Sequence, residues 1–376
     1  MLSEFTKACY SYGEGVKLLK KLFMKIMIVI TALLVFSLLT VVVLVKTPLK
    51  NTQLGKATKS FVKSAINNTK SLIAAATRPS LKDNEMILTS PGEGVIQLYS
   101  LLPDKSLLIT QFNKKEWGTW NIEGWFVSTD GFIPSSSQNL MVGGGSDWEY
   151  VFRVRKSLEN NYVFSGGNHG LEKLKSLKLI NPTDNSEINL EKGKLIRLQK
   201  LQIEEETDLN FDETSESKYA NVKRTYLISP NKITLKTNFE FTSDIFMGTS
   251  YVCMLPTSKN YGRYALFKES GNIYTTPPVG ETLSTNDIPN FLGKEAATTV
   301  EVWGDAKPSY KFITSIRDSE MVDNFKNELK TFYWDLNEYG NKLYFSRFDN
   351  ENSQKIEKGT KWENYSEWYI EIKDTP

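Results

Sequence analysis

The sequence predicts a mostly β fold: an antiparallel β-sandwich or jelly-roll-like ectodomain behind a single N-terminal transmembrane helix. Three observations carry this. Residues 26–45, "IMIVITALLVFSLLTVVVLV", are 20 consecutive uncharged, mostly apolar residues, enough at helical rise to cross about 30 Å of hydrocarbon. Beyond Glu85, segment after segment alternates apolar and polar residues with the period of two that marks a half-buried strand. Turn residues (Gly, Asn, Asp and Pro) separate these segments over nearly the whole remaining length, the pattern of packed antiparallel sheets.

In chain order, residues 1–25 are read as a short cytoplasmic tail and 26–45 as an uncleaved signal anchor, because the apolar run continues into "VLVKTPLK" without a small-residue cleavage site. Translation could start at Met1 or at Met24. Lys17, Lys20, Lys21 and Lys25 before the run are balanced by Lys46, Lys50, Lys56 and Lys59 after it, so charge alone does not orient the helix. A long domain following a single early anchor is expected outside the plasma membrane, with the N-terminus in the cytoplasm. Residues 46–83 form a lysine-rich stalk, and 84–376 a β-rich extracytoplasmic domain.

Within that domain "NKITLKTNFEFT" sets Ile233, Leu235, Thr237, Phe239 and Phe241 against Thr234, Lys236, Asn238 and Glu240. "EINLEKGKLIRLQ" is read as two strands joined at Lys192-Gly193, and "YVFRVRK", "TTVEVWG", "KLYFSRF" and "SEWYIEI" as strands. Helical spacing is confined to "RDSEMVDNFKNELKTFYWDL", through Met321, Phe325, Leu329 and Phe332. Turn residues cluster at 277–295, either a long loop within one domain or a boundary between two.

With 46 basic and 44 acidic residues, the chain has no charge excess that would point to nucleic acid. Cys9 and Cys253 lie on opposite sides of the apolar run, so no disulfide is expected between them, and Cys253 in "SYVCMLP" reads as a small buried hydrophobe. Asn67 and Asn364 occupy glycosylation sequons, relevant only in a eukaryote.

The single histidine, His169, sits in "SGGNHGLE". The spacing His169-Gly170-Leu171-Glu172 resembles the H-x-x-E motif of zinc carboxypeptidases and related deacylases. That chemistry needs three protein ligands, and no second histidine exists to complete the set; no metal or cofactor is expected. Asp208, Asn210 and Asp212 alternate, but Glu213 stands where a calcium loop needs glycine, so the stretch reads as a solvated acidic loop. No phosphate loop or nucleophile elbow is found.

Without a metal, an imidazole beside flexible glycines and an amide can bind a sugar or move a proton. In its ingredients the chain resembles polysaccharide lyases, which neutralise a uronate, remove a proton and protonate the leaving oxygen. That resemblance implies His169 as base or carboxylate neutraliser, Asn168 and Arg263 on the carboxylate, and Tyr261 or Tyr264 as acid. Arg153, Arg155 and Arg224 are further candidates for an acidic substrate. Trp117, Trp120, Trp125 and Trp148, the last beside Gly143-Gly144-Gly145, are candidates for the wall of a carbohydrate cleft, since indole faces stack on pyranose rings. Two functions therefore stand side by side: lyase-type cleavage of a polysaccharide or cell-wall glycan, and non-catalytic glycan binding or a structural role at the cell surface.

Overall fold

In a computed structural model of the chain, residues 81–128, 139–142, 147–283, 291–317, 322–348 and 353–373 are described. The apolar run 26–45, the stalk up to residue 80 and the Gly143–Gly145 loop lie outside the described residues. Among those described, no helix is long and apolar enough to cross a membrane.

The first strands, β1 (Met86–Thr89), β2 (Val95–Leu101), β3 (Leu107–Lys114) and β4 (Trp120–Ser128), form an antiparallel meander. β5 (Val151–Arg155), β6 (Val163–Ser165), β7 (Glu172–Asn181), β8 (Ser186–Glu187) and β9 (Ile196–Leu198) follow. Next come four longer strands, β10 (Leu201–Asn210), β11 (Lys218–Ser229), β12 (Lys232–Phe241) and β13 (Ile245–Ser258). β14 (Tyr264–Phe267), β15 (Ile273–Thr275), β16 (Phe291–Glu295), β17 (Thr299–Trp303) and β18 (Tyr310–Ile316) precede the short helix α1 (Val322–Asn327). The chain then runs through β19 (Thr331–Asp335), β20 (Gly340–Ser346), β21 (Gln354–Ile356) and β22 (Lys361–Ile372).

All named strand pairings are antiparallel, and they assemble three sheets. A ten-stranded sheet has the order β15-β14-β17-β18-β22-β12-β11-β10-β7-β8. A five-stranded sheet (β4-β3-β2-β1-β9) and a seven-stranded one (β16-β19-β20-β13-β5-β6, with β21 on β13) pack against it. Aromatic contacts stitch the layers: Trp125 on β4 stacks on Phe312 of β18 at 6.0 Å, Phe112 on β3 meets Tyr226 of β11 at 5.3 Å, and Phe152 on β5 meets Phe239 of β12 at 5.0 Å. Segment 277–295 leaves the ten-stranded sheet after β15 and enters the seven-stranded one as β16.

β12 shows why these residues make strands. Ile233, Leu235, Thr237, Phe239 and Phe241 are buried on one face, while Lys236 and Glu240 face water, so a slip of one residue would expose the whole apolar set.

Three expectations are corrected. Among the described residues of the expected helix only Val322–Asn327 is helical, because the following "TFYWD" is β-branched and aromatic and is captured as β19 between β16 and β20. The two strands expected within 187–199 form only in part: β8 ends at Glu187 and pairs with β7, and β9 covers Ile196–Leu198 and pairs with β1. Trp125 and Trp148 are not on a cleft wall. Both are fully buried, edge to face at 5.3 Å, with Trp125 Nε1 donating to Thr110 Oγ1 at 3.0 Å and Trp148 meeting Trp368 at 5.9 Å. Cys253 is a buried free thiol whose pKa burial pushes up, which suits its packing role.

Truncating the central indole should leave a cavity that the rigid sheets cannot close. Trp148→Ala is expected to lower unfolding free energy by about 3–5 kcal/mol, read from urea melts followed by circular dichroism; a loss below about 1 kcal/mol would contradict this packing.

Candidate functional site

The turn between β6 and β7 is built on glycine. Gly166, Gly167 and Gly170 have φ of 85°, 56° and 69°. A Cβ on Gly167 would lie 2.2 Å from Asp147 Oδ1, and one on Gly166 2.8 Å from the Tyr150 ring, so both the backbone conformation and the space demand glycine. The turn is closed by Gly166 N–H to Gly170 O at 2.9 Å and His169 N–H to Gly166 O at 3.1 Å.

Asp147 anchors it. One carboxylate oxygen accepts the Asn168 N–H; the other lies 3.3 Å from Lys342 Nζ of β20 and 3.9 Å from His169 Nε2. Asp147 and Lys342 are both buried, and burial lowers the pKa of the lysine against the pull of Asp147. His169 itself is 45% exposed, its ring stacked on Phe164 at 5.0 Å. Asn168 therefore contributes its backbone to the turn, and His169 faces outward.

It faces a groove of about 550 Å³. Trp117 forms part of its wall, lying against Gly170, whose Cβ position is 3.4 Å from the indole. The Trp117 indole N–H is shielded from solvent yet has no hydrogen-bond partner among the described residues. The lining also includes Lys173 and Asn210, with Asp212, Glu213 and Thr214 of the acidic loop. Asn210 N–H donates to Leu171 O at 2.8 Å, tying the end of β10 to the turn. Asp212 accepts from Thr214 N–H at 2.8 Å and Thr214 Oγ1 at 2.6 Å, and these bonds hold its carboxyl below the usual range.

Beneath the groove lies a buried polar network. Arg224 on β11 is fully buried and cannot touch a ligand from solution, contrary to expectation; it ion-pairs with its cross-strand neighbour Glu205 and lies 3.9 Å from Glu172. Glu172 also accepts from Tyr150 and, at 2.6 Å, from Thr207 Oγ1. Glu149 accepts from Ile122 N–H at 2.8 Å and Tyr226 at 3.1 Å. Two carboxylates, Glu205 and Glu172, thus share the Arg224 guanidinium inside the sandwich, with Glu149 buried nearby. Burial, reinforced by Glu172 and Glu149 and opposed by Arg224, pushes Glu205 up to about 7.

The other expected residues lie elsewhere. Arg153 and Arg155 flank the Tyr162 ring at 3.9 and 4.5 Å, and Arg155 also donates to Ser353 Oγ at 2.9 Å. Trp120 is half-buried against the core and lines a second groove with Leu177 and Ile188. Arg263 donates to Asp305 at 2.7 Å, as Tyr264 does at 2.9 Å, and Tyr261 packs on Tyr310 at 5.9 Å. Tyr264 begins β14 whereas His169 lies three residues before the start of β7, and seven strand spacings separate those strands in the ten-stranded sheet. At about 4.8 Å each this is roughly 34 Å. The catalytic set expected for a lyase does not assemble, and only His169, Asn168 and Trp117 come together.

Sequence reasoning missed Asp147 and Asn210 as parts of this site and took the acidic loop as merely solvated. A signal for Trp117 was present: it sits in the Lys115–Thr119 turn, where an indole has no sheet face to bury.

No family model and no curated protein matches the chain. Similar solved structures include the galactosidase domain of the α-galactosidase–sucrose kinase AgaSK, at 11% identity over 76% of this chain and 42% of that one, with a TM-score of 0.41. Another is the GH36 α-galactosidase AgaB from Geobacillus stearothermophilus, at 8% identity, 77% and 41% coverage and a TM-score of 0.40. A third is a putative aldose 1-epimerase from Escherichia coli K12, at 11% identity, 74% and 100% coverage and a TM-score of 0.34. The chain spans about two-fifths of the α-galactosidase chains it matches. At such values no residue role or activity is carried over.

The Glu205 shift has a thermodynamic consequence. A carboxyl with a raised folded pKa gives its full stability below its unfolded value, about 4.3, and loses it as pH rises through about 7. Glu205→Gln keeps an acceptor for the Trp120 N–H, which lies 2.9 Å from Glu205. The wild-type stability advantage over this variant should shrink between pH 4.3 and 8, by up to about 3 kcal/mol, in denaturant melts across that range. A difference independent of pH would rule the shift out.

Proposed function

We propose that residues 84–376 are a non-catalytic glycan-binding domain whose site is the groove at Trp117 and His169. The observation that carries this is the half-buried Trp117 indole on the wall of a groove whose lining also holds His169, Lys173, Asn210 and Thr214. A half-buried indole offers its face to the C–H groups of a pyranose. Asn210 and His169 supply further hydrogen bonds of the kind that orient sugars. The separation of Arg263, Tyr261 and Tyr264 from His169 weighs against cleavage and favours binding.

In this reading the apolar run 26–45 anchors the domain to the plasma membrane, with residues 1–25 in the cytoplasm and the groove outside. Protease added to intact cells expressing the full chain is then expected to degrade the β domain and spare the N-terminal tail; protection of the β domain would reverse the orientation.

The binding reading is tested with the full chain in detergent micelles on a panel of wall and acidic polysaccharides. Trp117→Ala is expected to weaken retention at least about tenfold, in line with the loss of one stacking indole. His169→Ala should weaken it severalfold, while Arg263→Ala leaves it unchanged. Unsaturated sugar products that vanish in His169→Ala would instead establish a lyase and displace the binding reading.

A further inference from the structure

A second groove follows the first, and the same two elements, the β3–β4 hairpin and β7, contribute to both. Its volume is also about 550 Å³. Trp120, Leu177 and Ile188 form part of its apolar lining, while Ser90, Glu187 and Lys192 bring polar groups to it. Trp120, like Trp117, is half-buried, so part of each indole stays open to solvent.

The way the hairpin turn packs along β7 puts the two grooves in line. The Trp117 indole lies against Gly170, and the Cβ position of Gly118 is 3.4 Å from Leu174 Cβ. The Trp120 N–H then meets Glu205, the cross-strand partner of Leu177. The turn thus runs alongside β7 from the His169 turn to the middle of the strand. Lys173 lines the first groove and Leu177 the second, an offset of about 13 Å at strand rise. That distance exceeds one sugar ring and is matched by a short run of linked ones.

We infer that the two grooves are subsites of one cleft, so that the ligand is a linear polysaccharide held over several consecutive sugars, with Trp117 and Trp120 under different rings of the same chain. This rests on the glycan-binding reading of the Trp117 groove and names the class of glycan. A chain engaged at Trp117 presents its next sugars to Trp120 at high effective concentration, so the second contact adds affinity without a second encounter. Leu177 and Ile188 suit the C–H faces of the rings, and Ser90, Glu187 and Lys192 suit their hydroxyls.

The test is isothermal titration of the full chain in micelles with two length series, oligomers of N-acetylglucosamine and of galacturonate, each from disaccharide to hexasaccharide. In the series that binds, the hexasaccharide is expected to be held at least about tenfold tighter than the disaccharide. Trp120→Ala should erase that gain, bringing the hexasaccharide to the disaccharide's affinity, with circular dichroism as the check on folding. Gly92, on the lining of the second groove, has open space at its Cβ position, so Gly92→Leu adds bulk there without touching the core. It should reduce the gain severalfold, and it decides the matter if Trp120→Ala does not fold. Trp117→Ala should weaken both lengths. Equal affinity at every length, or a length gain that survives the folded variants, overturns the inference and leaves the glycan-binding reading standing. Failure of both series at every length removes the two together.

Discussion

The groove stands on one buried electrostatic constraint: the Arg224 guanidinium, enclosed in the sandwich together with Glu149, Glu172 and Glu205. A charged group out of water is tolerated only when paired and hydrogen-bonded, so the strands bearing these groups are held to one another in register. Arg224 on β11 faces Glu205 on β10; Glu205 accepts the backbone N–H of Trp120 on β4; Glu172 begins β7 and takes the hydroxyls of Tyr150 and Thr207. Both layers of the sandwich are thereby tied together just below the turn that carries His169. Hydrophobic packing of the same strands is stronger in sum, but it is non-directional. The polar network supplies direction, and the position of the groove follows from it.

The site above this network divides its labour between backbone and side chains. Glycines give the 166–170 turn a path that no other residue could follow beside Asp147 and Tyr150. Asp147 then fixes the turn through the Asn168 N–H, leaving the imidazole of His169 projecting outward with one face on Phe164. Loops that carry function are commonly mounted on a rigid scaffold in this way. The groove joins three such pieces, the 165–172 turn, the turn holding Trp117 and the acidic loop after β10.

Much of the β architecture was legible in the sequence because period-two alternation survives wherever one sheet face is wet, as along β12. It failed where both faces are covered. β4 is buried on both sides for most of its length, so alternation could not tell that Trp125 is core while Trp120 is only half-buried. The strands expected in 187–199 formed only in part for another reason: a turn signal at Lys192-Gly193 says where the chain turns but not which strand each arm will find. Arg224 had a readable warning, since its partner Glu205 falls on the same parity as Ile203, Thr207 and Leu209, an inward-facing carboxylate that needs a buried partner. The convergence of Trp117, His169 and Asp212 had none, because it is made by pairings between strands distant in sequence.

The contact between Asp147 and Lys342 spans 195 residues of chain. During synthesis, the segment bearing His169 emerges long before the strand that supplies Lys342, so the carboxylate that holds the turn lacks its buried counter-charge until β20 has been made and docked. The turn is thus fixed only after β20 has been made, and a truncated product ending before residue 342 would leave Asp147 without its buried counter-charge.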